Sequence, residues 1–105
     1  MTEPNWHIVA RCEEIAPGKM LRVEVGWHTI ALANVEGTFY AFDDFCPHMD
    51  YYLSDGPLEG CQISCAMHGW TFDIRNGDPC PPLVSPQMDT YPVKIEDGSI
   101  QVLIK

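Results

Sequence analysis

Two short Cys/His pairs constrain this chain more than any other feature. Cys46 and His48 stand two positions apart, Cys65 and His68 stand three apart, and sixteen residues separate the two pairs. In each pair the thiol comes first and the imidazole second, so a single tight loop can present both side chains to one centre. The insert is long enough to pass through turns and strands and return the second loop beside the first. The spacing therefore predicts one metal centre with these four residues as ligands.

Two kinds of metal centre use two thiolates and two imidazoles. A structural zinc ion accepts this set in a tetrahedron, but zinc fingers usually pair Cys with Cys in one element and His with His in the other. A two-iron cluster explains the mixed pairs, because each loop can give its thiolate to one iron and its imidazole to the other. This is the ligand set of a Rieske [2Fe–2S] centre. The spacing alone favours the iron cluster and leaves zinc open.

Short β-favouring segments separated by turn signals fill most of the chain. Predicted strands are "WHIVARC", "MLRVEVG", "HTIALANV" and "FYAFDD", while "EDGSIQVLIK" is an Asp-Gly turn followed by a last strand. In "MLRVEV" the residues Leu21, Val23 and Val25 share one face, as a half-buried antiparallel strand requires. No helical period of useful length is present. The pattern predicts a small antiparallel β-sandwich or barrel with loops at one end.

The segments around the second pair are predicted from local chemistry. "QISC" is a short strand that leads to Cys65, and Asp55-Gly56-Pro57 and Glu59-Gly60 are turns. A further loop, "NGDPCPPLVSP", contains too much proline for a central strand. Both ligand pairs are therefore expected on loops.

Length and charge narrow the function classes. The 105 residues fit one domain, and 46% of them are hydrophobic, so the chain should fold. A net charge of −9 opposes binding to nucleic acid or anionic membrane. On charge alone the first interpretation is that acidity serves solubility, and the second is that it favours a basic protein partner. Five cysteines and no export signal argue against a disulfide framework. No apolar run approaches a membrane span, and we predict a cytoplasmic protein.

The residues that flank the pairs resemble those of Rieske-type ferredoxins. The pattern "CPH…LSDG-LEG…C-MHGW-FD---G" carries the resemblance, which continues through "NGDPCPPLV" to "YPVKIEDGSIQVLIK". It is similar to the ferredoxin components of bacterial aromatic-ring-hydroxylating oxygenase systems. The resemblance implies an all-β, Rieske-type antiparallel β-sandwich of three sheets in one domain, residues 1–105. It also implies a small cluster-binding subdomain, with its loops at about residues 44–82.

The resemblance also implies a function without catalysis by the chain itself. Such a ferredoxin holds one Rieske-type [2Fe–2S] cluster and carries one electron from a flavin-dependent ferredoxin reductase to a terminal oxygenase in aromatic hydrocarbon catabolism. It would act as a soluble monomer that binds neither nucleic acid nor membrane. Two alternatives are a small Rieske subunit of an assimilatory reductase and a zinc-stabilised binding module. Colour separates the last, because a [2Fe–2S] protein is red-brown and a zinc protein is colourless.

Other chemically active residues receive plainer interpretations. His7 and His28 have no partner at ligand spacing and are read as surface or strand histidines. The remaining cysteines are interpreted as small hydrophobes or spare thiols: Cys12, Cys61 and Cys80. Of these, only Cys80, in the proline loop, is placed near the cluster by the resemblance. The acidic residues nearest the ligands in sequence are expected to face basic partners: Asp43, Asp44, Asp50 and Asp73. For Asp73, capping a turn within the fold is the alternative.

We predict a reduction potential around −150 mV, the low end of the Rieske range. Respiratory Rieske proteins carry a disulfide between the ligand loops and Ser and Tyr hydroxyls that hydrogen-bond to sulfur. This chain has Tyr51 and Met67 at the disulfide positions and Trp70 and Phe72 at the hydroxyl positions. Hydrogen-bond donors around a cluster stabilise its reduced state, so the double substitution Trp70→Ser, Phe72→Tyr should raise the potential. Protein-film voltammetry measures both values, and a wild-type potential well above zero would contradict the prediction.

Overall fold

The computed structural model describes residues 6–45, 52–64, 70–81 and 87–104. Within these ranges the regular structure is β-strand apart from two 3₁₀ turns, Cys12–Glu14 and Leu53–Asp55. The strands are β1 (Trp6–Arg11), β2 (Met20–Val25), β3 (His28–Val35), β4 (Thr38–Asp43), β5 (Leu58–Glu59), β6 (Gln62–Ser64), β7 (Thr71–Asp73), β8 (Thr90–Tyr91), β9 (Val93–Glu96) and β10 (Ser99–Leu103). Over the same ranges, no helix has the length and apolar character needed to cross a membrane.

The strands form three antiparallel sheets, which confirms the fold class. The terminal sheet has the order β1-β10-β9, the central sheet β2-β3-β4-β8, and the small sheet β5-β6-β7. The predicted strands "WHIVARC", "MLRVEVG", "HTIALANV" and "FYAFDD" correspond to β1 to β4, and the last predicted strand is β10. The sequence pattern predicts β6 from "QISC" but does not predict the short β5, β7, β8 and β9. The predicted turn at Glu59-Gly60 is present only in part. Glu59 is the last residue of β5, and Gly60 has the left-handed backbone of a turn.

Side-chain alternation gives the central sheet two buried faces. In β3 the side chains of Ile30 and Leu32 pack in one core, whereas those of Ala31 and Ala33 pack in the other. Successive residues of a strand point to opposite faces, so one strand serves both cores. The first core joins the central sheet to the terminal sheet, and the predicted apolar face of β2 packs against it: Leu21, Val23 and Val25. The second core joins the central sheet to the small sheet.

Gly77 joins the start of the proline loop to its end. Its N–H donates to the Asp73 carbonyl at 2.7 Å, and its own carbonyl accepts the Met88 N–H at 2.8 Å. The backbone has φ +83°, and a Cβ at this position would collide with the Met88 carbonyl oxygen. Only glycine therefore permits this approach of two backbones.

We expect Gly77→Ala to destabilise the protein far more than Gly18→Ala. Gly18 is a matched control, because it has φ +82° and open space where the Cβ would be. The control should lose about 1 kcal/mol of unfolding free energy from left-handed strain alone. Gly77→Ala adds a backbone collision and should lose about 3 kcal/mol or more. Denaturation in urea measures both, and equal losses would contradict the close approach of Gly77 and Met88.

Candidate metal centre

The four predicted ligands lie outside the described residues. Cys46 and His48 belong to the segment 46–51, here called the first ligand segment, and Cys65 and His68 belong to 65–69, the second ligand segment. The structure does describe the residues on both sides of each segment. These flanking residues show where the two segments start and end in the fold.

A buried carboxylate ties the two sides of the first ligand segment together. Asp44 has no exposed surface. Its Oδ1 accepts the Ser54 N–H at 2.7 Å, and its Oδ2 accepts the Ser54 hydroxyl at 2.6 Å. The Asp44 N–H in turn donates to the Thr29 carbonyl of β3 at 2.9 Å. Residues that stand ten apart in sequence and bracket the segment are therefore held in direct contact.

Arg22 supplies the positive charge for this carboxylate. Its Nε donates to Asp44 Oδ2 at 2.9 Å, and its Nη2 donates to Ser54 Oγ at 3.0 Å and to Asp55 Oδ1 at 2.9 Å. The guanidinium lies 3.8 Å from the centre of the Tyr52 ring. A buried carboxylate is costly unless it is paired and hydrogen-bonded, and Asp44 meets both conditions.

The second ligand segment lies in sequence between the paired antiparallel strands β6 and β7. Ser64 and Thr71 form the last strand pair before this segment, and their hydroxyl oxygens lie 3.0 Å apart. The next pair, Ile63 and Phe72, is completely buried. The prediction of a short strand leading directly to Cys65 is confirmed by β6.

One core packs the bases of both ligand segments together. Leu53, which follows the first segment, has no exposed surface and shares a core with Ile63 and Phe72, which bracket the second. Trp70, immediately after the second segment, is half-buried against the same core. The described residues next to the two segments therefore lie close together in the fold.

The start of the proline loop runs antiparallel beside β7. Phe72 forms a β-bridge with Pro79, and the Cys80 N–H donates to the Thr71 carbonyl at 2.8 Å. Thr71 is two residues after the second ligand segment, so Cys80 lies at the base of this segment. Cys12 and Cys61, by contrast, are partly buried and pack against the two cores, as small hydrophobes do.

The expectation that the acidic residues nearest the ligands face basic partners was wrong for Asp44, and for Asp73 the structure shows the turn-capping alternative. Asp44 is fully buried and paired with Arg22. Asp73 takes the turn-capping alternative: its Oδ1 accepts the Arg75 N–H at 2.9 Å, and its Oδ2 lies 2.7 Å from Arg75 Nη2. The side-chain hydrogen bond from Arg75 lowers the pKa of Asp73. Asp50 lies outside the described residues.

Asp43 belongs to a partly buried polar group at the end of the central sheet. Burial raises the pKa of Asp43, and the negative charge of Asp89 raises it further by a smaller amount. The Tyr91 hydroxyl oxygen lies 3.3 Å from His28 Nδ1. Burial, together with the negative charges of Asp43 and Asp89, raises the pKa of Tyr91 to about 12. His28 is thus a strand histidine, as expected, and His7 is exposed on β1.

The fold and the site together define a small β-domain for iron–sulfur electron transfer. Two mixed Cys/His segments leave adjacent bases on one core, and their donor set of two thiols and two imidazoles fits a [2Fe–2S] cluster with one His-ligated iron. The Rieske [2Fe-2S] domain matches residues 5–92, and the chain belongs to this family. Membership implies one Rieske-type [2Fe–2S] cluster.

Relatives of this chain are ferredoxin components of aromatic dioxygenase systems. The ferredoxin component of the naphthalene 1,2-dioxygenase/salicylate 5-hydroxylase systems of Ralstonia sp. is 41% identical over 102 residues, covering 96% of this chain and 95% of the relative. The ferredoxin component of biphenyl 2,3-dioxygenase from Rhodococcus jostii RHA1 is 37% identical over 89 residues, covering 85% and 83%. These relatives are electron-transfer components and not catalytic subunits.

Solved structures agree with the same assignment. The Sphingomonas yanoikuyae B1 ferredoxin has a TM-score of 0.89 at 29% identity, covering 96% of this chain and all of that one. A chain from the complex of reduced oxygenase and oxidized ferredoxin in carbazole 1,9a-dioxygenase has a TM-score of 0.88 at 30% identity, covering 96% and 94%. In that solved complex a ferredoxin and an oxygenase are bound to each other.

Proposed function

We propose that this protein is a soluble, cytoplasmic Rieske-type ferredoxin that carries one electron from a flavin-dependent reductase to the terminal oxygenase of an aromatic-ring-hydroxylating system. One domain, 1–105, acts as a monomer, with cluster-binding loops at about 44–82. Cys46, His48, Cys65 and His68 hold the cluster, which supplies a one-electron change at its His-ligated iron. The observation that supports this proposal most is the shared core of Leu53, Ile63 and Phe72, because it brings together residues that flank the two mixed Cys/His segments.

Exposed aromatic rings suit the first ligand segment to brief protein contacts. Phe45 precedes the segment and Tyr52 follows it; they are 38% and 36% exposed, and their ring centroids lie 5.2 Å apart. Trp27, 97% exposed, occupies the β2–β3 turn at the end of the central sheet from which the segment departs. Aromatic side chains give much contact area at little entropic cost and are enriched in interfaces. We assign this aromatic end of the sheet to partner contact.

The acidic surface suits long-range attraction of a basic partner. In the described part of the chain, four basic side chains are already paired with acids: Arg11, Arg22, Arg75 and Lys94. The remaining exposed acids therefore dominate the outward field of a chain with net charge −9. A carrier must meet two proteins in turn and leave each quickly, so steering with a small interface serves it better than tight docking.

Metal analysis tests the proposed cofactor and ligands. We expect two irons and two acid-labile sulfides per chain after anaerobic, iron-replete production, and loss of the Rieske spectrum when any of Cys46, His48, Cys65 or His68 is replaced. Matched controls are Cys12→Ser, Cys61→Ser and Cys80→Ser, which should keep the spectrum. Stoichiometric zinc without iron would contradict the proposal and support the zinc module, and a folded Cys46→Ser variant with an intact cluster would contradict the ligand assignment.

Ionic strength tests the proposed steering. Raising it from about 0.02 M to about 0.3 M shortens the screening length severalfold, so the second-order rate of reduction by the cognate reductase should fall severalfold in stopped-flow mixing. At low salt, the double substitution Glu24→Gln, Asp89→Asn should slow the reaction more than Glu36→Gln, Asp97→Asn. Both variants lose two exposed negative charges, but Glu24 and Asp89 lie at the end of the central sheet next to the first ligand segment, whereas Glu36 and Asp97 lie in the β3–β4 and β9–β10 turns. A rate that is independent of salt would leave acidity as a solubility feature.

A further inference from the structure

We infer that the buried Asp44–Arg22 pair is a positioning device for the first ligand segment that also controls the charge felt by the cluster. The Asp44 carboxylate joins the residues before and after the segment by accepting hydrogen bonds from Ser54. The positive charge of Arg22 offsets the negative charge that the carboxylate would otherwise place near the bound cluster. The inference rests on the proposed ligands Cys46 and His48. It assigns to this ion pair a role in setting the reduction potential.

The contacts of Asp44 are more specific than the stability of a strand end requires. Asp44 stands two residues before Cys46, and its side chain reaches Ser54, beyond the end of the segment, through two hydrogen bonds of 2.7 and 2.6 Å. Both carboxylate oxygens of Asp44 accept hydrogen bonds, and Oδ2 also accepts one from Arg22 Nε at 2.9 Å. Asp44 therefore defines where the first segment starts relative to where it ends, which limits the positions open to its thiol and imidazole.

The charge of the pair is placed where it can act on the cluster. Asp44 is completely shielded from water, so solvent screens its charge poorly, whereas the Arg22 side chain is 36% exposed. Reduction adds one negative charge to the cluster. An uncompensated carboxylate nearby opposes this step and lowers the potential, and an uncompensated guanidinium favours it and raises the potential. With both present, the two effects largely cancel, and Asp55, the second carboxylate that Arg22 contacts, is 60% exposed and therefore screened by water and salt.

A second Arg–Asp pair, Arg75 with Asp73, differs from the Arg22–Asp44 pair in burial and in position relative to the ligand segments. Arg75 and Asp73 are also joined at 2.7 Å, but they stand two residues apart within one turn, and the Arg75 side chain is 60% exposed. That pair brackets no ligand segment. The Arg11–Glu13 pair is still more exposed, 54% and 74%, and lies at the end of β1, in the terminal sheet. It supplies matched charge controls.

The test measures the potential of holoprotein variants by protein-film voltammetry, with the electron paramagnetic resonance spectrum as a record of cluster geometry. We expect Arg22→Met to lower the potential and Asp44→Asn to raise it. Each should change the equilibrium constant for one-electron reduction by about three- to tenfold, the upper value corresponding to about 59 mV. The double variant should return towards the wild-type potential, and Arg22→Lys should stay close to it because the charge remains.

The signs of the shifts separate this role from a purely structural one. If the pair only stabilised the fold, Arg22→Met and Asp44→Asn would shift the potential in the same direction or leave it unchanged, and either result would overturn the inference. Shifts of equal size in Arg11→Met and Glu13→Gln would overturn it too. Should Asp44→Asn not fold, Arg22→Met against Arg22→Lys still decides the matter. Only preparations with two irons are compared, so failure here is distinct from failure of the proposed ligand set.

Discussion

The site depends on one patch of buried side chains, in which Leu53, Ile63 and Phe72 pack against the central sheet. Ile63 and Phe72 face each other across the β6–β7 hairpin, and Leu53 joins them from the turn that follows the first ligand segment. Complete burial of one such side chain contributes about 1.5–3 kcal/mol. Separating the residues that flank the two segments would expose all three side chains, so this apolar contact opposes the separation of the predicted ligands.

Hydrogen bonds add the direction that apolar packing lacks. Packing brings the two bases together, but it does not determine the path by which each segment leaves its base. The Asp44–Ser54 contacts fix the relative positions of the residues that flank the first segment, and the Ser64–Thr71 pair does so for the second. The small side chains of Ala31 and Ala33 face the same core from β3, which leaves room for the bulkier residues of the small sheet. Proximity and geometry therefore come from different residues.

Features written into short stretches of sequence could be predicted, and features made by distant contacts could not. The long strands show their two-residue period locally, and the ligand pairs show their spacing within four residues. The strands β5 and β8 have two residues each, too few for any period. The burial of Asp44 depends on Arg22, which is 22 positions away, so nothing beside Asp44 in sequence distinguishes it from a surface acid. Asp73 could be suspected as a turn cap because its partner Arg75 is local.

The same contrast explains how a strongly acidic chain can still pair two of the carboxylates nearest its predicted ligands with arginines. The Asp44 carboxylate next to the first segment is compensated by Arg22, and the Asp73 carboxylate after the second is compensated by Arg75. Apart from the partly buried Asp43, the unpaired acids of the described residues are exposed, where water and salt screen them from the interior while a partner still senses them at long range. Attraction of partners and control of the potential can therefore be adjusted by different residues. Surface charge can vary with the partner while the two ion pairs beside the ligands stay the same.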